Sequence, residues 1–414
     1  MKRILMIAYH YPPLRGSSGI QRTLAFSRDL REFGWQPIIL SAHPRAYPSV
    51  GADQLGDIPP DVPVYRPFAL DTSRHLSIRG AYPKAFALPD RWSSWLLGAV
   101  PTGWGIIRRH RPDAIWSTYP ITTAHLIGLS LHRISGLPWV ADFRDSMTEA
   151  NFPPDATVRR VRQRIERSTV ERASRSVFTT PGARRMYAER YPHLSAERWA
   201  VIPNGYDEGP FQDAEGAQAP ARAEGPPTVL VHSGLLYPHE RDPRPFFDAV
   251  GTLRRSGVIS PQTLRIVLRA SGSDEQYRPM LRERKIDDIV RLDPPIGYRA
   301  ALAELLAADG LLLFQAANCN HQIPAKLYEY LRAGRPIFAM TDSRGDTARV
   351  LLDVGVESVV PLDSEEKIAA GLSRFLDTVR RGTATVPGSD VVERHSRRAR
   401  ARELAALLDS VTGG

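Results

Sequence analysis

Each half of the chain opens with the same local pattern, an apolar strand followed by a glycine-containing turn and an amphipathic helix. In the first half, the strand covers residues 3–9, the turn residues 16–19 and the helix residues 21–33. In the second half, the strand begins at residue 228 and the turn contains Gly234. Because strands alternate with helices, the pattern predicts a parallel sheet with helices on both faces in each half.

Further apolar segments continue this alternation at residues 37–41, 114–117, 139–141, 176–179, 264–268, 310–314 and 337–340. A chain of 414 residues is also too long for one ordinary core. We therefore predict an α/β fold with two Rossmann-like domains. The expected parts are a domain at residues 1–205, a linker at 206–227, a domain at 228–390 and a C-terminal helix at 391–414 that packs back on the first domain.

The composition excludes several classes of protein. Hydrophobic residues make up 42% of the chain and charged residues 24%, as in globular proteins that fold in water. The single cysteine, Cys319, rules out an internal disulfide framework and favours a reducing compartment. The N-terminal apolar run is short and is interrupted at residues 9–12, so it predicts a first strand rather than a leader. We expect a cytoplasmic protein.

The positive charge lies in the first half. Residues 1–205 hold 28 Lys and Arg against 16 Asp and Glu, whereas residues 206–414 hold 27 against 29. Seven arginines fall within residues 158–175, together with Val158, Val161 and Ile165. This helix is predicted to lie on an anionic membrane, at its inner face, and the alternative is an ordinary solvated helix. The sequence shows no nucleic-acid-binding module.

One segment, residues 321–340, predicts a loop, a short helix, a glycine stop and a buried strand. Pro324 suits the first helical turn, and Gly334 stands where a C-terminal cap is expected. The start of such a helix presents free N–H groups to a phosphate, and Lys326 adds a cation there. Lys326 is one of only five lysines in an arginine-rich chain. Glu329, one turn later, suits the hydroxyls of a ribose, so the segment predicts a sugar-nucleotide site.

Five segments of the chain are informative through their order and spacing: residues 4–34, 141–145 (ADFRD), 201–207 (VIPNGYD), 233–243 and 323–336. In this order they resemble the GT-B fold glycosyltransferases of family 4, also called group 1, over nearly the whole chain. The resemblance implies two Rossmann-like domains that face each other across a cleft. It also implies transfer of a hexosyl-type sugar from a nucleoside diphosphate sugar with retention of configuration, without a metal or any cofactor other than this co-substrate.

On the donor side, the resemblance assigns Glu329 to the ribose, and it places His321 where family members commonly carry a first acidic residue. Leu235 stands at a position that is usually Arg, and Arg241 lies near a position that is usually Lys. Arg241 is therefore expected to hold the diphosphate, and its alternative role is a surface ion pair with Asp242. The expected donor-binding residues are Gly16, Ser17, Ser18, Gly19, Gly234, Arg241, His321, Gln322, Lys326, Leu327 and Glu329.

On the acceptor side, Asp142, Arg144 and Asp145 follow a strand whose carboxyl end is expected at the site. They are candidates for orienting an acceptor hydroxyl or contacting charge on a substrate, and the alternative is a structural Arg–Asp network. His125 lies within a helical pattern and is expected to be a packed residue. The catalytic candidates are Asp142, Arg144, Asp145, Arg241 and Lys326.

The predicted activity is sugar transfer to a glycan or lipid-linked acceptor in the synthesis of cell-surface polysaccharide or glycoconjugate. The predicted partners are the donor, this acceptor and an anionic membrane surface, with no nucleic acid and no metal. Two alternatives stay open: a sugar-nucleotide epimerase of the same fold, and a subunit that binds a sugar-nucleotide without catalysis.

Overall fold

The computed structural model describes residues 1–16, 19–52, 54–79, 81, 82, 84–216, 225 and 227–413. The chain forms two compact units. The first contains Met1–Asn204 together with Arg397–Gly414, and the second contains Gly205–Ser396. Each unit is an α/β structure built on its own parallel sheet, as the alternating sequence pattern predicts.

Within its described residues, the first unit contains a seven-stranded parallel sheet. Its strands are β1 (Lys2–Ile7), β2 (Trp35–Leu40), β3 (Val64–Tyr65), β4 (Ala114–Thr118), β5 (Trp139–Phe143), β6 (Arg175–Phe178) and β7 (Trp199–Val201). The strand order is β3-β2-β1-β4-β5-β6-β7. Its helices are α1 (Gly19–Asp29), α2 (Thr72–His75), α3 (Trp95–His110), α4 (Thr122–Ser135), α5 (Ala156–Arg172) and α6 (Pro181–Arg190). Both faces of the sheet are covered, which explains why β4 and β5 are buried along their whole length.

The described part of the second unit contains a six-stranded parallel sheet. Its strands are β8 (Thr228–Ser233), β9 (Leu264–Arg269), β10 (Val290–Asp293), β11 (Gly310–Phe314), β12 (Ile337–Met340) and β13 (Val359–Val360), in the order β10-β9-β8-β11-β12-β13. Its helices are α7 (Glu208–Gly216), α8 (Arg244–Arg255), α9 (Asp274–Glu283), α10 (Tyr298–Ala307), α11 (Lys326–Ala333), α12 (Asp346–Asp353), α13 (Glu365–Arg380) and α14 (Ser389–Glu393).

The last helix, α15 (Arg397–Val411), belongs to the first unit, although it follows the second in sequence. Leu404 and Leu408 are fully buried in one hydrophobic cluster with Leu24 of α1. A salt bridge of 3.0 Å between Lys2 Nζ and Asp409 Oδ1 joins the helix to β1. The predicted helix over 391–414 is therefore two helices, and only the second packs on the first unit.

The structure corrects the linker prediction over its first part. Residues 208–216 form α7, and the Phe211 side chain is fully buried in the second unit. Arg332 lies over the Phe211 ring and pairs with Glu208 and Glu215 at 2.6 and 2.8 Å. The acidic residues that suggested a solvated linker therefore have a specific partner on α11. The rest of the predicted linker, residues 217–224 and 226, lies outside the described residues.

The structure also corrects the proposed membrane face of α5. Ile165 is buried, and Val161 packs against the same hydrophobic core of the first unit. Glu166 is fully buried and accepts hydrogen bonds from Tyr187 and Tyr191 at 2.9 and 2.8 Å. Because the apolar face of the helix is used for packing, it cannot enter a lipid surface. Across the described residues, no helix combines the length and apolar character needed to cross a bilayer.

Candidate functional site

Both sheets reverse their strand order at one point, and the candidate residues gather at these two points. In the first unit the reversal lies between β1 and β4, and in the second it lies between β8 and β11. Connections leave the two central strands in opposite directions there, which opens a crevice at the carboxyl ends of the strands. The first residues of α11 follow β11 and therefore start at the crevice of the second unit.

Helix α11 forms as its sequence predicts. It ends at Gly334, which adopts the left-handed conformation with φ of 62° and caps the helix through a hydrogen bond to Leu331. Its N-terminal turn has no side-chain cap. The N–H groups of Leu327 and Tyr328 donate instead to the carbonyls of Pro324 and Ala325 at 2.9 and 3.2 Å. The helix start therefore offers an anion mainly the positive end of the helix dipole.

Lys326, the first residue of α11, contacts a histidine at the end of β8. Nδ1 of His232 donates to the carbonyl oxygen of Leu312 at 2.8 Å, because a carbonyl can only accept. Nε2 of the neutral ring is then an acceptor, and it lies 3.3 Å from Lys326 Nζ. The pKa of His232 is held well below its usual value by burial and by the nearby Lys326 charge. His232 therefore stays neutral and orients the lysine.

Burial, together with charge repulsion from Arg241, lowers the pKa of Lys326 from 10.5 to about 7, while Glu329 acts in the opposite direction. The lysine is thus a cation that has lost most of its water, and among the described residues Glu329 is the carboxylate whose charge acts on it. A phosphate group at this place would restore the charged form, since an opposite charge favours it.

Gly234 makes room for this lysine. Its φ of 117° lies in the region that favours glycine, and a Cβ there would stand 2.6 Å from Lys326 Nζ. The turn after β8 is fixed by a hydrogen bond of 2.8 Å from the Gly234 N–H to the carbonyl of Arg269. Any side chain at position 234 would displace the ammonium group.

Arg241 supplies a second cation close to Lys326. Its guanidinium lies over the Tyr237 ring at 5.4 Å from the centroid and donates to the carbonyl of Leu235 at 3.3 Å. Asp242 instead pairs with Arg244 at 2.5 Å. Within the described part of the chain, no carboxylate lies within salt-bridge distance of Arg241. The alternative of an Arg241–Asp242 ion pair is therefore not what the structure shows.

Glu329 is placed by a contact that the sequence did not reveal. Tyr298, the first residue of α10, donates its hydroxyl to Glu329 Oε1 at 2.8 Å. Tyr298 follows Pro294 and Pro295, which line a groove of about 420 Å³ at the carboxyl ends of β9 and β10. The groove, the carboxylate and the two cations therefore lie along one edge of the sheet.

Of the remaining donor-side candidates, His321 and Gln322 lie near the site, whereas Leu327 is part of the core beneath it. His321 and Gln322 lie on the loop before α11, with 3.5 Å between their Nε2 atoms. The buried Gln315 side chain holds this loop by donating to the carbonyls of Cys319 and Gln322. The Leu327 side chain is fully buried in the core. The Leu327 N–H donates to the Pro324 carbonyl at 2.9 Å, so Leu327 shapes the site rather than offering a contact.

In the first unit, three strand ends meet at Arg144. Its Nε donates to the carbonyl of Tyr119 at 2.5 Å, and Nη2 lies 2.9 Å from Nδ1 of His10. Burial and the Arg144 charge lower the pKa of His10 to about 3, so the ring is neutral. Gly19 begins α1 against this pair, and a Cβ there would stand 2.2 Å from Arg144 Nη1.

Of the predicted loop residues before α1, Gly16 adopts a left-handed turn conformation. Ser17 and Ser18 lie outside the described residues.

Asp142 belongs to a structural network. It is fully buried, and its two oxygens accept from Arg22 at 2.8 and 3.1 Å and from Thr118 at 2.8 Å. Arg22 also donates to the carbonyls of Ile202 and Pro203. The Arg–Asp alternative therefore describes Asp142 better than a catalytic role. Asp145, in contrast, is exposed, and His125 is a fully buried core residue.

Sequence reasoning missed three residues of these crevices: His10, His232 and Tyr298. Both histidines follow or end the first strand of a unit, which is a signal that could have identified them. Tyr298 gave no such signal, because its contact with Glu329 joins two helices that are distant in sequence. Across the described residues, no cluster of His, Cys, Asp and Glu side chains could hold a metal ion.

Comparisons with known proteins agree with this architecture. The two crevices on two parallel sheets define the GT-B class of fold. Chains of known structure match it over nearly their whole length. Sucrose-phosphate synthase from Thermosynechococcus elongatus is 15% identical, with 100% of each chain covered and a TM-score of 0.67. A glycosyltransferase from Rickettsia africae is 10% identical, with 99% of this chain and 98% of that chain covered and a TM-score of 0.66.

HepE from Anabaena, in complex with UDP and glucose, is 15% identical, with 100% of this chain and 97% of that chain covered and a TM-score of 0.58. At these identities the likeness shows the fold alone. Residues 18–205 match the family model described as a glycosyl transferase 4-like domain. No curated protein sequence matches the chain. The family and the structural neighbours together support a glycosyltransferase of the GT-B type.

Proposed function

We propose that the protein transfers a sugar from a nucleoside diphosphate sugar to a glycan or lipid-linked acceptor, with retention of configuration and without a metal ion. The observation that carries the proposal is that Lys326 and Arg241 lie close together at the start of α11, with Glu329 one turn away. Two cations at the positive end of a helix dipole suit a diphosphate. The carboxylate suits the ribose hydroxyls. The groove lined by Pro294 and Pro295 then suits the base.

The same cations explain how the site would accelerate the reaction. As the glycosidic bond breaks, negative charge grows on the leaving diphosphate. Lys326 and Arg241 act on that growing charge, so they stabilise the transition state more than the bound donor. In this proposal the leaving phosphate takes the proton of the acceptor hydroxyl on the same face of the sugar. The acceptor is bound by the first unit, where Arg144 and Asp145 contact it.

The test is transfer or slow hydrolysis of nucleoside diphosphate sugars, with UDP-glucose as the first donor because HepE is known with UDP-glucose bound. We expect Lys326→Ala and Arg241→Ala each to lower kcat by about 100-fold, the usual effect of removing one transition-state contact. The matched control is Lys367→Ala, which removes an exposed lysine on α13. Equal rates in all four proteins would contradict the assignment. Retention is read from the anomeric signal of the product by NMR, and metal independence from activity in EDTA.

The same assay separates the two alternatives. An epimerase converts the donor to an isomer without any acceptor, which chromatography of the nucleotide sugars detects. A non-catalytic subunit binds the nucleotide, as thermal shift shows, but releases no free nucleoside diphosphate. Either result would replace the transferase proposal.

A further inference from the structure

The segment between β3 and α3, together with the first turn of α3, exposes large apolar side chains that the proposed reaction does not use. The exposed fractions are 78% for Ile78, 73% for Leu97, 58% for Phe86 and 39% for Leu76. Isolated exposed apolar residues are common, but several within about twenty residues of sequence are not. We call the surface formed by these four residues with Arg79 and Lys84 the apolar–basic surface.

Local hydrogen bonds hold this surface in a defined shape. Thr72 Oγ1 donates to the carbonyl of Phe86 at 2.9 Å, and Ser93 Oγ donates to the same carbonyl at 2.5 Å. Residues 78 and 81 exchange backbone hydrogen bonds of 2.8 and 3.1 Å, which fix these two residues opposite each other. The N-terminal end of α3, which carries Leu97, is therefore tied to the segment that carries Phe86.

The charge of the surface has one sign. Residues 66–111 contain eight Lys and Arg and only two carboxylates, Asp71 and Asp90. Both carboxylates are buried, with exposed fractions of 0% and 7%, and both accept backbone hydrogen bonds within the unit. Arg79 and Lys84 are exposed. The outward charge that residues 66–111 contribute is therefore positive, and the exposed Asp155 at the start of α5 is a carboxylate near Lys84.

We propose that the apolar–basic surface docks on an anionic lipid bilayer, with Ile78 and Phe86 entering the headgroup region and Arg79 and Lys84 contacting lipid phosphates. Apolar side chains with flanking cations are the combination that binds a bilayer interface. The inference specifies the membrane partner of the proposed function, and it rests on that function only for the lipid-linked acceptor. It replaces α5 as the membrane-binding element, because the apolar face of α5 is packed in the core.

Vesicle flotation of the full-length protein tests the docking. We expect binding to vesicles of phosphatidylcholine with about one third phosphatidylglycerol, weaker binding to phosphatidylcholine alone, and release at high salt. The double variant Ile78→Asp/Phe86→Asp should reduce partitioning at least about 100-fold, since neither side chain would then gain from leaving water. The matched control is Leu352→Asp, which changes an exposed leucine of the second unit and should bind as wild type. The α5 variant Arg160→Gln/Arg164→Gln should also bind nearly as wild type.

A labelling experiment gives a second readout that does not depend on a loss of binding. The one cysteine, Cys319, is buried, so Ile78→Cys carries a unique accessible thiol. An environment-sensitive dye at position 78 should shift its emission to the blue on anionic vesicles, whereas a dye at Leu352→Cys should not shift.

Several outcomes would overturn the inference: no wild-type binding, equal binding to neutral vesicles, or full binding by the Ile78→Asp/Phe86→Asp variant. A dimer that this variant abolishes, without vesicle binding, would show that a second copy covers the surface. Donor hydrolysis without vesicles should be unchanged in the variant. If hydrolysis is absent in wild type while vesicle binding holds, the proposed function fails and the docking stands.

Discussion

The Lys326 ammonium lies 3.3 Å from Nε2 of His232, in a space that exists because residue 234 is glycine. His232 is fixed in turn by its hydrogen bond to the Leu312 carbonyl on the neighbouring strand. The lysine is thus held in place by a neutral acceptor rather than by a carboxylate. Its charge is not already compensated, so it can act on a phosphate that arrives later.

The first prediction concerns pH. Because the pKa of Lys326 is lowered to about 7, the free protein should lose this charge as the pH rises through neutrality. A bound diphosphate favours the charged lysine, so donor binding should take up a proton above pH 7. We expect affinity for UDP to fall between pH 7 and 9. Calorimetry at pH 8 in buffers of different ionisation enthalpy measures the proton uptake, and Lys326→Met is the control that should show none.

The second prediction concerns the stability cost of this lysine. Its pKa is lower in the folded than in the unfolded chain, so between about pH 7 and 10.5 the unfolded chain binds more protons. Stability should therefore rise with pH across that window, and the cost of the buried charge should be greatest below pH 7. Lys326→Met should raise Tm at pH 6, by about 2–4 °C for each kcal/mol recovered. The gain should shrink by pH 10, and a pH-independent difference would argue against the buried charge.

The third prediction assigns His232 a positioning role. His232→Leu removes the acceptor for Lys326 and should lower the pKa that governs donor binding by about one unit, with kcat reduced about tenfold. His232→Gln, whose amide oxygen can reach the position of Nε2, should restore part of both. A purely structural role would instead lower Tm equally in both variants and leave the pH profile unchanged.

The fourth prediction concerns the ribose side of the site. Glu329→Gln should raise the donor KM about tenfold with little change in kcat, because the carboxylate contacts the part of the donor that does not react. Tyr298→Phe should have a smaller effect, and none in a Glu329→Ala background, where the acceptor of the tyrosine hydroxyl is gone. Additive effects in the double variant would contradict the coupling.

The fifth prediction separates structure from catalysis at Asp142. Asp142→Asn leaves Arg22 as an uncompensated buried charge, and breaking such a pair costs about 3–5 kcal/mol. We expect a large fall in Tm with an unchanged kcat for the protein that remains folded. The control is Asp145→Asn at an exposed position, which should leave Tm unchanged. A loss of kcat at a temperature where Asp142→Asn is fully folded would restore Asp142 as a catalytic candidate.

The sequence was informative wherever the signal was local. The period of apolar residues predicted the strands of both sheets, and Pro324 and Gly334 marked the ends of α11 to within two residues. Lys326 and Glu329 were identified as candidates because they lie within one turn of the start of a helix. The linker and α5 were misjudged because the partners that bury Phe211 and Ile165 come from distant segments.

The sequence alone determined the two parallel sheets, the helix that begins at Lys326 and the basic first half. Propensity, periodicity and charge are properties of neighbouring residues, which is why the sequence carries them. Only the tertiary structure decided which side-chain charges are available to a ligand. It paired Asp142 with Arg22 and left Arg241 beside Lys326. It also brought His232 into contact with Lys326, and Tyr298 into contact with Glu329, across about 95 and 30 residues of sequence. The availability of a charge depends on burial and on partners, and both are set by how separate segments pack.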